Sequence, residues 1–149
     1  MMDSLKLLLA DDDLDDCDLF RQALSELPFE ATLEIVHDGN ELLIQLPLQS
    51  MRLPDIIFLD LNMPRKNGVE CLTAIKTSES LQHIPVVIFS TSVNEKLAKS
   101  LFSMGAADYI QKPSSYRELK ELISNTILSI PLHSPKLEKA IPHENRRPG

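Results

Sequence analysis

The run Ile56-Ile57-Phe58-Leu59, four apolar residues leading into Asp60 and followed closely by Pro64, is the tightest constraint in this chain. A short apolar stretch without polar alternation predicts a strand buried on both faces, as in a parallel sheet. Pro64 has no amide proton to give to a ladder and cannot continue the strand. The Asp60 carboxylate is thereby carried to the strand's C-terminal end, the edge of an open α/β sheet where ligands and chemistry collect.

Around that strand the apolar pattern alternates between two periods. Leu5 to Ala10 predicts a strand, and Leu14, Cys17, Phe20, Leu24 and Leu27 follow at helical spacing. Thr32 to Val36 is β-branched and apolar, and Asp38-Gly39 reads as a turn into a helix bearing Leu42, Leu43 and Leu46. Beyond the central strand, Gly68 precedes a helix with Val69, Leu72 and Ile75, and Pro85 opens a strand over Val86 to Phe89. Asn94 is placed to cap a helix carrying Leu97, Leu101 and Met104, which Gly105 ends. Asp108 to Gln111 predicts a short fifth strand, after which Ser114 or Ser115 caps a helix with Leu119, Leu122, Ile123, Thr126, Ile127 and Ile130. Five strands alternating with five helices require a parallel sheet covered on both faces through right-handed crossovers. Residues 1–130 are predicted to form one domain, and residues 131–149, with prolines at 131, 135, 142 and 148, a Pro-rich mobile tail.

Composition narrows the function classes. A length of 149 residues with 43% hydrophobic content suits one domain with a substantial core. The formal charge is −7, and the tail holds Lys136, Lys139, Arg146 and Arg147 against Glu138 and Glu144, which leaves −9 on residues 1–130. Such a body is expected to bind neither nucleic acid nor an anionic membrane directly. Cys17 and Cys71 have no pairing signature, the N-terminus lacks a signal-peptide pattern, and no apolar run approaches the ~20 residues that span a bilayer. A cytoplasmic protein with reduced thiols is expected. The histidines at 37, 83, 133 and 143 lack ligand spacing, so no metal is assigned to them.

Polar residues then converge on one edge of the predicted sheet. Asp11 and Asp12 follow the first strand, Asp60 ends the third, Ser90 ends the fourth and Lys112 follows the fifth. In the flavodoxin-like strand order 2-1-3-4-5 the topological switch falls between the first and third strands, which puts the acidic pair beside Asp60. Three carboxylates so close repel one another and partly protonate unless a cation is supplied. A hard divalent ion with oxygen ligands, Mg²⁺, answers that need and accepts a phosphoryl oxygen as a further ligand. Asp13 or Asp15 is expected only to cap the following helix. The run DDDLDDCD is no calcium loop, because its sixth position is Asp16 where Gly is required and its twelfth is Gln22 where Glu is required.

These residues resemble the receiver domains of bacterial two-component response regulators over residues 5 to 130, in particular the stand-alone kind with no fused output domain. The resemblance rests on the Asp11-Asp12 pair, Asp60 within FLDLNMP, Gly68, Ser90 after PVVIF, Gly105-Ala106-Ala107-Asp108-Tyr109 and Lys112-Pro113. The stretch SLQHIPVVIFSTSVNE is also similar to single-domain regulators that partner bacterial phytochrome kinases. The resemblance implies a (βα)₅ fold in which Asp60 accepts a phosphoryl group from a phosphohistidine on a sensor histidine kinase. It implies that Asp12, Asp60 and the backbone carbonyl of Asn62 hold Mg²⁺ directly while Asp11 acts through water. Lys112 and the Ser90 hydroxyl would grip the phosphoryl oxygens, and Tyr109 would turn inward behind Ser90, reshaping the surface of the last two helices and the fifth strand. Output would be a contact with a downstream protein or a phosphorylation-dependent homodimer, with Lys96, Lys99, Lys120 and Glu121 as rim charges. Such a protein is not an enzyme on external substrates and catalyses only its own phosphorylation and dephosphorylation. Three alternatives are weighed: a phosphorelay intermediate passing the group to a histidine phosphotransfer protein, an aspartyl-phosphate phosphatase, and a degenerate receiver acting as a scaffold. The phosphatase pattern wants a second Asp two residues after the nucleophile, where this chain has Asn62.

Overall fold

The structure, a computed structural model, describes residues 4–46, 52–91 and 94–130. Ten elements alternate: β1 (Leu5–Ala10), α1 (Leu14–Ser25), β2 (Ala31–Val36), α2 (Gly39–Gln45), β3 (Ile56–Leu59), α3 (Gly68–Thr77), β4 (Val86–Ser90), α4 (Glu95–Ser103), β5 (Asp108–Gln111) and α5 (Tyr116–Ser129). The strands form one parallel sheet in the order β2-β1-β3-β4-β5. The expected fold class is therefore the one observed. The expected tail, residues 131–149, lies outside the described residues.

Strand alternation divides the core in two. Leu8, Ala10, Ile57, Leu59, Val86 and Ile88 point to one face, where Leu42 and Leu46, Cys71, Leu72 and Ile75, and Leu101 cover them from the α2, α3 and α4 side. Leu5, Leu7, Leu9, Ile56, Phe58, Val87 and Phe89 point to the other, under α1 and α5. Phe20 of α1 meets Phe58 and Phe89 edge to face, with ring centroids 5.0 and 5.9 Å apart. The central strands β1, β3 and β4 are almost wholly buried, as their apolar runs require, whereas β2 and β5 at the sheet edges are half-exposed.

Helix starts follow the capping chemistry. Asp13, Asp38, Asn67, Asn94 and Ser115 each accept a hydrogen bond from the third residue of the helix they open. Two details depart from the expected pattern. Leu14 is the first residue of α1, ahead of the inward stripe formed by Cys17, Phe20, Ala23 and Leu24, and is 64% exposed; Leu27 lies beyond the helix end and packs on the same core from the following turn. Gly39 belongs to α2, because Asp38 caps there by accepting from the Glu41 amide at 2.7 Å. At the other end of a helix, Gly105 closes α4 with φ of 108°, a conformation that an L side chain resists.

One glycine bears directly on the sheet edge. A Cβ on Gly68 would lie 2.5 Å from the carbonyl oxygen of Asp60 and 2.7 Å from the Leu61 Cα. Helix α3 thus starts with its backbone pressed against the end of β3, and the Gly68 amide donates to the Leu61 carbonyl at 3.0 Å.

Candidate functional site

Parallel pairing brings the strand ends level. The Asp11 amide donates to the Val36 carbonyl, the Asp60 amide to the Ala10 carbonyl and the Lys112 amide to the Ser90 carbonyl, at 3.0, 2.9 and 2.7 Å. Residues from positions 11 to 112 therefore meet at one edge. Asp11, Asp12 and Asp60 each present a carboxylate oxygen within 4.8 Å of the others. Asp11 is fully buried, Asp60 is 5% exposed, and Asp12 faces solvent. That is the oxygen-only donor set of a hard divalent ion with an open side for water or substrate.

Local hydrogen bonds fix the carboxylates. Asp11 Oδ1 accepts from the Asp13 amide at 3.0 Å, and Asp60 Oδ1 accepts from the Asn62 amide at 3.3 Å. Lys112 supplies the positive charge: its Nζ lies 2.7 Å from Asp11 Oδ2, 2.9 Å from Asp16 Oδ2 and 3.6 Å from Asp60 Oδ2, with a side chain only 9% exposed. Burial pushes the Asp11 carboxyl up to about 6 against the opposing pull of Lys112 and the Asp13 amide. Burial also works against the charge on Lys112, but hydrogen bonds to Asp11 and Asp16 outweigh it and hold the ammonium above the ordinary lysine value. At neutral pH both members of that pair are ionised.

Ser90 is fully buried and its hydroxyl has no hydrogen-bond partner among the described residues. An orphaned buried hydroxyl is costly unless a further group completes it. It lines a cleft of about 650 Å³ together with Asp12, Asn62, Asn94, Leu97 and Tyr109. Tyr109 is half-buried, and β5 pairs with β4 so that Tyr109 stands opposite Ile88 and Gln111 opposite Ser90. Of the seven residues singled out in the sequence, Asp11, Asp12, Asp60, Asn62, Ser90 and Lys112 lie at or just beyond strand ends on one edge of the sheet, and Tyr109, inside β5, lines the adjoining cleft.

Two findings go beyond or against expectation. Asp16, read from the sequence only as the wrong residue for a calcium loop, is a direct partner of Lys112. Lys120 has partners of its own: its ammonium pairs with Glu26 at the end of α1, 3.2 Å away, and sits 5.3 Å above the Tyr116 ring. Lys120 thus ties α5 to α1. The two cysteines are inert, as burial raises Cys17 to about 12 and Cys71 to about 11.

Sequence comparison agrees with this geometry. Residues 7–124 match the response regulator receiver domain, and the chain belongs to that family. The chain is 33% identical over 124 residues to the probable methanogenesis regulatory protein FilR2 of Methanothrix harundinacea, covering 81% of this chain and 80% of that one. It is 31% identical over 121 residues to the response regulator Rcp1 of Synechocystis, covering 78% and 82%. Among solved structures, the phosphorylated cyanobacterial phytochrome response regulator RcpA aligns with a TM-score of 0.79 at 32% identity, covering 88% of this chain and 99% of that one. The Mn²⁺-bound form of Rcp1, whose crystal structure is known, aligns at 0.78 and 28% identity over 87% and 99%. The fold class and the family resemblance stated from the motifs both hold. Among the described residues no helix is long and apolar enough to cross a membrane.

Proposed function

We propose that this chain is a stand-alone receiver that takes a phosphoryl group from a sensor histidine kinase onto Asp60 and signals by a change of surface shape. The observation that carries the reading is the position of Asp60: a nearly buried carboxylate at a strand end, with two further carboxylates within 4.8 Å and the Lys112 ammonium 3.6 Å away. In the transfer, an Asp60 carboxylate oxygen forms a bond to phosphorus as the phosphorus–nitrogen bond of the donor phosphohistidine breaks, and the imidazole leaves with its electron pair. Asp12, Asp60 and the Asn62 carbonyl would hold Mg²⁺ directly, with Asp11 acting through bound water, and the ion would neutralise charge on the phosphoryl oxygens. Lys112 and the orphaned Ser90 hydroxyl would complete the phosphoryl group's contacts, made only in the phosphorylated state. Incubation of the wild-type protein with a small phosphodonor and Mg²⁺ is expected to add one phosphate by intact-mass measurement, and a chelator to abolish it. Turnover of foreign phosphoesters without labelling would point instead to a phosphatase.

Asp11 gives metal binding a pH dependence of definite sign. Its carboxyl is raised from 3.8 to about 6, so below about pH 6 a proton competes for the site, and Mg²⁺ affinity is expected to fall by up to roughly tenfold per pH unit there. In the metal-free protein the same raised value means that this group favours folding below 3.8, and that the contribution is lost as pH rises through about 6. Calorimetric titrations with Mg²⁺ at pH 7 and pH 5 check the first statement; equal affinities would remove Asp11 from the metal set.

For output we assign the surface of α4, β5 and α5. Tyr109 on β5 shares the cleft with Ser90, and α4 exposes Lys96, Lys99 and Phe102. A partner protein or a second copy of the chain would use these as an aromatic anchor and rim charges. Charge reversal at Lys96 and Lys99 is expected to weaken phosphorylation-dependent association severalfold while leaving Asp60 labelling normal. Unchanged association, followed by size-exclusion chromatography and target pull-down, would move the output elsewhere.

A further inference from the structure

We propose that Asp16 is a positioning residue that acts through Lys112: in the unphosphorylated receiver it draws the ammonium away from Asp60, and it lets go when a phosphoryl group arrives. The inference rests on the reading of Asp60 as phosphoacceptor and adds a fourth carboxylate to its control.

The geometry separates the three acids around Lys112. The 2.9 Å contact to Asp16 is a charge-assisted hydrogen bond, the 2.7 Å contact to Asp11 is a close ion pair, and 3.6 Å to Asp60 is beyond hydrogen-bond contact. The ammonium is therefore held on the acidic pair flanking the first turn of α1 and not on the acceptor. A helix-capping detail leaves Asp16 free for this task. Asp16 is the third residue of α1, where an acid can reach back to the amide of the cap residue, as Glu70 does to the Asn67 amide in α3. In α1 that amide, on Asp13, is already taken by Asp11 Oδ1. The Asp16 carboxylate, with no cap amide to satisfy, turns to Lys112.

Exposure decides which bond yields. The Asp11 side chain is 1% exposed and the Asp16 side chain 34%. Breaking the Asp11 contact would strand a buried carboxylate, while water can replace the ammonium at Asp16. When Asp60 becomes an acyl phosphate, its phosphoryl oxygens offer Lys112 a stronger partner than the former carboxylate, and Asp16 is the partner it can leave. An intact Asp16 thus favours the unphosphorylated arrangement and slows phosphoryl acceptance.

The test uses phosphoramidate with Mg²⁺ on the full chain. Its phosphorus–nitrogen bond breaks, the Asp60 oxygen–phosphorus bond forms and ammonia leaves. Asp16→Asn, the same shape without the charge, is expected to become phosphorylated roughly three- to tenfold faster than wild type, the range that a half-exposed ion pair permits. Asp16→Glu is expected to restore the slower rate. The ¹⁵N resonance of the Lys112 ammonium supplies a readout that helix stability alone would not move: Asp16→Asn is expected to shift it in the free protein and leave it unchanged in the phosphorylated one. An Asp16→Asn rate equal to or below wild type would overturn the inference, as would a resonance that differs equally in both states. Wild-type protein unlabelled at Asp60 would overturn the phosphoacceptor reading itself, an outcome distinguishable from a labelled wild type with an indifferent Asp16.

Discussion

Asp60→Asn is expected to abolish phosphorylation altogether. The amide has no anionic oxygen to attack phosphorus, and the change also takes one of three carboxylates out of the metal set. No neighbour is placed to substitute. Asp11 is fully buried and engaged by Lys112 at 2.7 Å, while Asp12 faces solvent and, among the described residues, makes no ion pair with Lys112. Intact-mass analysis after treatment with a small phosphodonor and Mg²⁺ checks this, with peptide mapping of any residual label. Labelling of the variant at the wild-type level would remove Asp60 from the acceptor position.

Gly68→Ala is expected to disrupt the fold at the sheet edge that carries Asp60. The added carbon would meet the Asp60 carbonyl oxygen at 2.5 Å and the Leu61 Cα at 2.7 Å, and both are backbone atoms that cannot rotate aside. Either α3 moves outward or the end of β3 bends. Overpacking of this kind costs about 1–3 kcal/mol, which at this chain length corresponds to a fall in Tm on the order of 5–10 °C. Because the atom struck belongs to Asp60, the variant that remains folded is also expected to label more slowly. Thermal unfolding with parallel labelling measures both, and wild-type values for the two would show that α3 is free to shift.

The frame was legible because its signals are local. Ile56 to Leu59, Val86 to Phe89 and Leu5 to Ala10 are apolar runs that only a buried parallel sheet accommodates, and their order along the chain brings Asp11, Asp60 and Ser90 to one edge. What escaped depends on pairings that no local pattern encodes. Asp16 joins Lys112 across 96 positions, while Asp11 accepts from the Asp13 amide. Lys120 looks like any surface lysine until the helical rotation of α5 sets it against Glu26, 94 positions away. The missing partner of the Ser90 hydroxyl is likewise visible only when the surrounding atoms are in place.

The two-sided core also equips this protein with its own optical reporters. The chain has no tryptophan and two tyrosines, and these lie on opposite sides of the sheet: Tyr109 packs against the cluster beneath α2, α3 and α4, and Tyr116 against the cluster beneath α1 and α5. Ultraviolet emission therefore has only two origins, one beside the cleft that holds Ser90 and one beside the Lys120–Glu26 tie. With Tyr116→Phe the tyrosine emission has a single source, and any change in the surroundings of Tyr109 becomes a fluorescence signal that needs no dye.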